Sequence, residues 1–224
     1  MDTPWHTFWS YLAFHRSEWW PKAVIGSILP DVPFFISSAY LFIRDGVNME
    51  SWVLAYEHPW VKPIGFFTHS LLIAILGLTA VRFLKRRYWY PYFYGWMFHI
   101  FTDILTHVSD AQPVFWPVSL KRFSGPISYW ERSYYSRELS IVNLAIASLF
   151  AIYLLFTKNQ RLYLIHPKAQ IILYGFFCVY LPGGGVLMFG LGWISSEILL
   201  LHIISGVMFL ALAINEYRLN RGYQ

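Results

Sequence analysis

The sequence predicts an all-α protein, a polytopic bundle of transmembrane helices with about five or six membrane segments. Of its 224 residues, 57% are hydrophobic and 13% are charged, a composition too apolar for an ordinary soluble domain. Several apolar runs approach the roughly 20 residues that a helix needs to cross a hydrocarbon core. Aromatic residues cluster at the edges of these runs, as amphipathic rings do at a lipid interface: Trp19, Trp20, Tyr88, Trp89, Tyr90 and Trp193.

The hydropathy pattern places five spans along the chain, at residues 64–83, 88–106, 139–157, 170–191 and 194–215. Residues 23–43 are also apolar, but Pro30 and Pro33 interrupt them, so we predict a broken or re-entrant N-terminal segment. Residues 3–20 mix polar with aromatic side chains and predict an interfacial helix. With no repeat or linker, residues 1–224 are expected to form a single integral membrane domain. Residues 1–120 would be its metal-site half, and residues 139–215 would add further helices.

The formal charge is +5, but the basic residues lie mostly in short loops, and no nucleic-acid partner is expected. If every predicted span crosses the membrane, three groups of basic residues fall on the same side: residues 85–87; Lys158, Arg161 and Lys168; and Arg218 and Arg221. The positive-inside rule makes that side cytoplasmic. Basic residues in the segment 107–138 argue against this orientation. The expected location is the cytoplasmic (inner) membrane of a prokaryote, and the oligomeric state is left open.

Four ionisable side chains interrupt the apolar stretches: Asp31, His69, His99 and Asp103. Such a group costs about 2.5–3.5 kcal/mol at the centre of a membrane helix, so it usually marks a functional site. His99 and Asp103 are four residues apart and share one helix face. Histidines and carboxylates in a chain with one cysteine favour a metal held by nitrogen and oxygen ligands.

The spacing around the basic loop brings two of these residues together. His69 precedes Lys85 by 16 residues and His99 follows it by 14, so two antiparallel helices would place both histidines roughly 20 Å from that loop. Asp103 would lie one turn further out. We therefore expect the site in the outer half of the bilayer, close to the segment that begins at His107.

Structural explanations compete with each candidate taken alone. The pair His99 and Asp103 could be a buried hydrogen bond, and Asp31 could cap the following helix. A b-type haem is also conceivable, but it would leave both acids without a role. His6 is a fifth candidate ligand, and its rival His15 is expected to be an interfacial residue.

Four short motifs also carry a resemblance: Gly26-Ser27-Ile28-Leu29-Pro30-Asp31; Phe67-Thr68-His69-Ser70; His99-Ile100-Phe101-Thr102-Asp103; and Pro113-Val114-Phe115-Trp116-Pro117. In order and spacing they resemble the LexA-regulated, membrane-bound metal-dependent hydrolase family. That family is distantly similar to zinc-dependent phospholipase C and to fungal zinc nucleases. The resemblance implies one or more divalent metals, zinc foremost, with the following ligands: His6, Asp31, His69, His99 and Asp103.

The expected function is therefore that of a membrane-embedded hydrolase that cleaves a lipid-like phosphoester with a metal-activated water. Asp31 or Asp103 would act as general base or bridge two metals. Outside this ligand set, Asp110 is the best candidate for proton transfer. The residues expected on the substrate side are His107, Lys121 and Arg122. The expected partner is membrane lipid. The alternative is a non-catalytic membrane protein, either a metal or proton transporter or a structural bundle.

Overall fold

The computed structural model describes residues 3–46, 49–157, 166–190 and 195–221, and these contain helices and loops but no strand. The predicted all-α membrane bundle is confirmed at this level. The chain divides into two compact units, Met1–Ser128 and Tyr129–Gln224. Three residues used in the sequence predictions, Lys158, Arg161 and Trp193, lie outside the described residues.

The first unit contains the candidate site and is built from seven helices among its described residues. They are α1 (Thr3–Phe14), α2 (Trp20–Ile28), α3 (Val32–Asp45), α4 (Met49–Glu57), α5 (Val61–Thr68), α6 (Leu71–Phe83) and α7 (Tyr90–Thr106). Short 3-10 turns lie before α3, at Leu29–Asp31, and before α7, at Arg87–Trp89. Proline occupies the first turn of α2, α3 and α7, where its missing N–H leaves no helical hydrogen bond unmade.

The second unit contains α8 (Ser136–Phe156), α9 (Pro167–Gly190) and α10 (Ser196–Arg221). Tyr174 and Phe177 of α9 pack against Phe209 of α10 and are almost fully buried. The hydroxyls of Ser148 and Ser205 lie 2.8 Å apart and join α8 to α10.

Four helical segments in the described part of the chain are long and apolar enough to cross a membrane: Trp20–Asp45, Ser136–Phe156, Pro167–Val186 and Ser196–Arg218. The bent pair α5 and α6 adds a fifth if it is counted as one span. Helix α7 has 17 residues, about 26 Å at 1.5 Å per residue, which is the lower limit for spanning. These lengths fit an integral membrane protein.

A pronounced break lies at His69 and Ser70, inside the segment 64–83 that the sequence predicts as one span. Helices α5 and α6 meet there at 58°. Ser70 caps α6, because its Oγ accepts a hydrogen bond from the backbone N–H of Ile73 at 3.3 Å. By contrast, the predicted break near Pro30 takes the form of one 3-10 turn inside the candidate span Trp20–Asp45.

Helices α2 and α7 cross at very short range because each has a glycine at the contact. A Cβ on Gly26 would lie 2.1 Å from the carbonyl oxygen of Tyr92, and one on Gly95 would lie 1.8 Å from that of Ala23. Any larger residue would push the two backbones apart. This approach places the end of α2 beside the middle of α7, where His99 lies.

Candidate metal centre

Six ionisable side chains from different parts of the first unit meet in one buried cluster: His6 (α1), Asp31 (the 3-10 turn), His69 (after α5), His99 and Asp103 (α7) and His107 (after α7). Each is at most 9% exposed, and His6, Asp31 and His99 are fully buried. All five predicted ligands are therefore brought together, and His107 joins them. We call these six residues the His–Asp cluster.

Asp103 lies at the centre of the cluster and contacts all four histidines. Its Oδ1 lies 2.9 Å from Nε2 of His6 and 3.2 Å from Nε2 of His107. Its Oδ2 lies 3.2 Å from Nε2 of His99 and 3.5 Å from Nε2 of His69. The short His99 contact agrees with the helical i, i+4 spacing of the pair.

Asp31 closes the cluster from the side of the 3-10 turn. Its Oδ1 lies 3.3 Å from Nε2 of His69 and 3.7 Å from Nε2 of His99. Its second oxygen, Oδ2, accepts a hydrogen bond from the hydroxyl of Thr3. Thr3 therefore holds the carboxylate while leaving Oδ1 directed at the two histidines.

Each of the four histidines is anchored through Nδ1 and presents Nε2 to the cluster. The Nδ1 of His99 lies 2.7 Å from the carbonyl oxygen of Ser27, and that of His69 lies 2.9 Å from the carbonyl oxygen of Gly65. A carbonyl oxygen can only accept, so Nδ1 carries the proton in both rings. In the neutral imidazole, Nε2 then bears a lone pair.

His6 and His107 follow the same pattern with side-chain partners. Nδ1 of His6 lies 2.6 Å from Oγ1 of Thr102, whose hydroxyl is itself donated to the carbonyl of His99. The Thr102 oxygen therefore accepts from His6. Nδ1 of His107 lies 2.7 Å from Oδ2 of Asp110. Hydrogen bonds of this kind orient metal-ligating histidines and fix their tautomer.

When their rings are neutral, the histidines therefore point Nε2 lone pairs at one another and at the carboxylate oxygens. Nε2 of His69 and Nε2 of His99 lie 3.3 Å apart, and with both Nδ1 atoms protonated neither neutral ring can donate to the other. Two buried carboxylates face the same space. Such an arrangement needs positive charge at its centre, because a buried charge is stable only when it is paired or coordinates a cation.

The ligand atoms are close enough to share a metal ion. Three overlapping groups have all their donor atoms within 4.8 Å of one another: His6, Asp31 and His99; His6, Asp103 and His107; and His69, His99 and Asp103. Imidazole nitrogen and carboxylate oxygen are the donors that zinc binds when thiolates are absent. The residues present therefore fit a divalent cation.

The two residues that flank His69 in the Thr-His-Ser motif hold it in place through hydrogen bonds to backbone carbonyls. Thr68 donates its hydroxyl to the carbonyl of Pro30 at 2.9 Å, next to Asp31. Ser70 donates to the carbonyl of Trp116 at 2.6 Å, and Leu71 N–H to the carbonyl of Val114 at 2.8 Å. The motif therefore connects α5 to the Asp31 turn on one side and to the Pro-Val-Phe-Trp-Pro loop on the other.

His107 and Asp110 lie just beyond the end of α7. Burial alone would lower the pKa of His107, but the charges of Asp103 and Asp110 and their hydrogen bonds raise that pKa to about 10. Burial would likewise raise the pKa of Asp110, but the hydrogen bond to His107 and its charge lower it. The hydrogen bond to Asp110 occupies Nδ1 of His107, and its Nε2 faces Oδ1 of Asp103.

The other predicted residues lie apart from these contacts. Lys121 and Arg122 are exposed on the loop after α7, where they lie over the rings of Phe123 and Phe66. Within the described residues, no contact joins either of them to the His–Asp cluster. His15, the rival of His6, has its Nδ1 2.8 Å from the carbonyl of Leu12 in its own helix end.

Sequence reasoning treated His107 as a substrate-side group and gave Thr3 and Thr102 no part in the site. A signal for His107 was present, since His99, Asp103 and His107 recur at intervals of four and fall on one helix face. Thr3 and Thr102 carried no comparable signal, because their partners lie 28 and 96 residues away.

The fold and the cluster define an integral membrane protein of the helical class with a buried histidine–aspartate centre. Residues 7–220 match the pattern of the YdjM inner membrane protein family. The chain belongs to this family. The comparison with curated proteins found no match, and neither did the comparison with solved structures.

Proposed function

We propose that this protein is a membrane-embedded, metal-dependent hydrolase whose centre is the His–Asp cluster. One observation carries the proposal: four histidines, each anchored through Nδ1, direct Nε2 toward two buried carboxylates. A merely structural cluster would pair donors with acceptors. Here each neutral ring anchored through Nδ1 presents an Nε2 lone pair beside the carboxylates, and a divalent cation would satisfy these acceptors together.

The ligands in this proposal are His6, Asp31, His69, His99 and Asp103, and zinc is the metal that suits them best. When bound, the cation would lower the pKa of a coordinated water to about 7 and polarise the bond to be cleaved. Asp110 is the most exposed carboxylate near the cluster, since its side chain is 35% exposed. It is the group best placed to pass a proton between the centre and solvent.

A phosphoester of a membrane lipid is the proposed substrate class. The site lies in a chain that belongs to an inner membrane family, so lipid is the most abundant compound in reach. The exposed Lys121 and Arg122 follow the His107 loop and would attract an anionic headgroup. We place the site in the outer half of the bilayer, on the charge distribution of the loops.

The test is to purify the full-length protein in detergent, remove metal with a chelator, restore zinc and measure hydrolysis of phospholipids and of a chromogenic phosphodiester. His69→Ala and Asp103→Ala are expected to lower the rate by about 100-fold or more, since a metal supplies several kcal/mol of barrier reduction. His15→Ala is the control and should retain the wild-type rate.

Two results would count against the proposal. Absence of bound metal in the zinc-restored wild type would remove its basis. Stoichiometric metal without hydrolysis of any phosphoester would instead favour the second class of function, a transporter or a structural metal site, and zinc flux into proteoliposomes would then separate those two.

A further inference from the structure

The carboxylate of Asp103 divides the cluster into two sides. Its Oδ1 contacts His6 and His107, at 2.9 and 3.2 Å, while its Oδ2 contacts His99 and His69, at 3.2 and 3.5 Å. We propose that the cluster holds two divalent cations bridged by Asp103, with His107 as a ligand of the second. This inference rests on the proposed metal centre but assigns it a second position.

The first position lies on the Oδ2 side. His69, His99 and Asp103 have donor atoms within 4.8 Å of one another. Oδ1 of Asp31 lies 3.3 and 3.7 Å from the two histidine nitrogens and supplies a fourth donor. Three or four protein donors of this kind make a complete zinc site, with or without a coordinated water.

The second position lies on the Oδ1 side, where His6, Asp103 and His107 form a group that shares Asp103 with the first position and has its donor atoms within 4.8 Å. The ring centroid of His6 is 4.1 Å from that of His99, so the two positions are immediate neighbours. Three protein donors leave room for water or substrate, as in a catalytic zinc site.

The number of donors favours two cations over one. Zinc in proteins is bound by about four ligands, whereas the cluster offers four imidazole nitrogens and two carboxylates. A single ion at the Oδ2 side would not use Nε2 of His6 or Nε2 of His107. Both of these atoms face Oδ1 of Asp103. Two ions about 3.5–4 Å apart, bridged by one carboxylate, use every donor.

Besides its proposed part in proton transfer, Asp110 positions His107. Its Oδ2 lies 2.7 Å from Nδ1 of His107, which leaves Nε2 for the cation. His69 and His99 are anchored by backbone carbonyls and His6 by a hydroxyl, so His107 alone among the four is anchored by a carboxylate. A carboxylate partner increases the basicity of a ligating imidazole.

Two cations would widen the chemistry available to the centre. A pair can stabilise both the attacking and the leaving oxygen of an in-line displacement at phosphorus. A metal pair of this kind suits hydrolysis of a phosphodiester or a phosphomonoester. The side with His107 is also the side of the partly exposed Asp110, so we place substrate there.

The experiment counts metal rather than activity. Full-length protein in detergent is stripped with a chelator, reloaded with Zn²⁺, and its zinc measured per chain by mass spectrometry. We expect two ions in the wild type and one in His107→Ala. Asp110→Asn should keep two ions but bind one of them about 10- to 100-fold more weakly. His15→Ala should keep two.

Reloading with Mn²⁺ gives a second readout that does not depend on the count. A bridged pair should give a spin-coupled electron paramagnetic resonance signal in the wild type and an isolated-ion signal in His107→Ala. Because Asp110→Asn removes no donor atom, it remains informative if His107→Ala fails to fold.

The possible failures are distinguishable. One ion in the wild type, unchanged in His107→Ala, would overturn the second position and leave the single-metal hydrolase intact. Two ions without phosphoester hydrolysis would overturn the proposed function and leave this inference standing. An isolated-ion Mn²⁺ signal in the wild type would also overturn the bridge.

Discussion

Gly95 of α7 lies against the carbonyl of Ala23 in α2 so closely that a Cβ at position 95 would be 1.8 Å from that oxygen. One turn further along α7, Nδ1 of His99 lies 2.7 Å from the carbonyl of Ser27. The two contacts depend on each other, because both require the backbones of α2 and α7 to run side by side. The glycine therefore supports the His–Asp cluster although it contributes no side chain to it.

Replacing Gly95 tests this dependence. Gly95→Ala is expected to separate α2 from α7, break the His99 hydrogen bond and lower both thermal stability in detergent and zinc content, since overpacking costs about 1–3 kcal/mol. Gly175→Ala is the control, because Gly175 lies inside α9 of the second unit and a Cβ there meets nothing within 4 Å. Equal behaviour of the two variants would show that the close approach is dispensable.

Thr102 is expected to tune the metal affinity through His6. Thr102→Val removes the oxygen that accepts from Nδ1 of His6 at 2.6 Å while keeping the side-chain shape. Loss of such a partner typically weakens metal binding about 10- to 100-fold. The measurement is competition for Zn²⁺ against a chromogenic chelator.

Thr106→Val is the control for that experiment. Thr106 lies one turn further along α7, and its hydroxyl is donated to the carbonyl of Thr102 within the same helix, at 2.8 Å. It should leave the affinity near the wild-type value. An equal loss in both variants would argue that Thr102 acts by stabilising α7 and not by orienting His6.

Ser70 should contribute to the stability of the first unit at the bend. Ser70→Ala removes both the cap of α6, at 3.3 Å from the Ile73 nitrogen, and the hydrogen bond to the Trp116 carbonyl, at 2.6 Å. We expect a loss of about 1–2 kcal/mol, measured by denaturant unfolding in detergent.

Thr79→Ala provides the comparison for Ser70, since the Thr79 hydroxyl bonds only to the Ile75 carbonyl of its own helix among the described contacts, at 2.8 Å. That substitution should change stability by a few tenths of a kcal/mol. A Ser70 variant as stable as Thr79→Ala would mean that the bend is maintained by packing alone.

The proposed metal should stabilise the fold as well as serve the proposed reaction. A cation that binds only the folded chain, present at a free concentration of 100 times its Kd, adds about 2.7 kcal/mol to the free energy of unfolding. Thermal unfolding with zinc should therefore occur at higher temperature than with a chelator. The difference should shrink in His69→Ala, and a wild type insensitive to the chelator would contradict a bound metal.

Sequence and structure agree best where the relevant geometry is local. The pairing of His99 with Asp103 follows from four residues on one helix, and the structure gives a 3.2 Å contact. The meeting of His69 with His99 was predicted from equal spacing about a loop, and their Nε2 atoms lie 3.3 Å apart. Both predictions needed the rise of a helix and little else.

Agreement ends where the contact joins distant parts of the chain. The sequence predicted a break near Pro30 and Pro33, whereas the 58° bend lies at His69 and Ser70, where the Ser70 side chain caps a new helix. Asp31 reaches His69 and His99 from the 3-10 turn Leu29–Asp31.

The sequence by itself determined an apolar helical membrane chain and singled out five of the six cluster residues as candidate ligands. The tertiary structure decided how they meet: which histidine nitrogen faces the centre, that Asp103 contacts all four rings, and that His107 joins them. The physical reason is the separation along the sequence between the residues that make each contact. Spacing along one helix is fixed by backbone geometry, whereas the approach of α1, α2 and the His69 bend to α7 depends on glycine contacts and hydrogen bonds between remote segments.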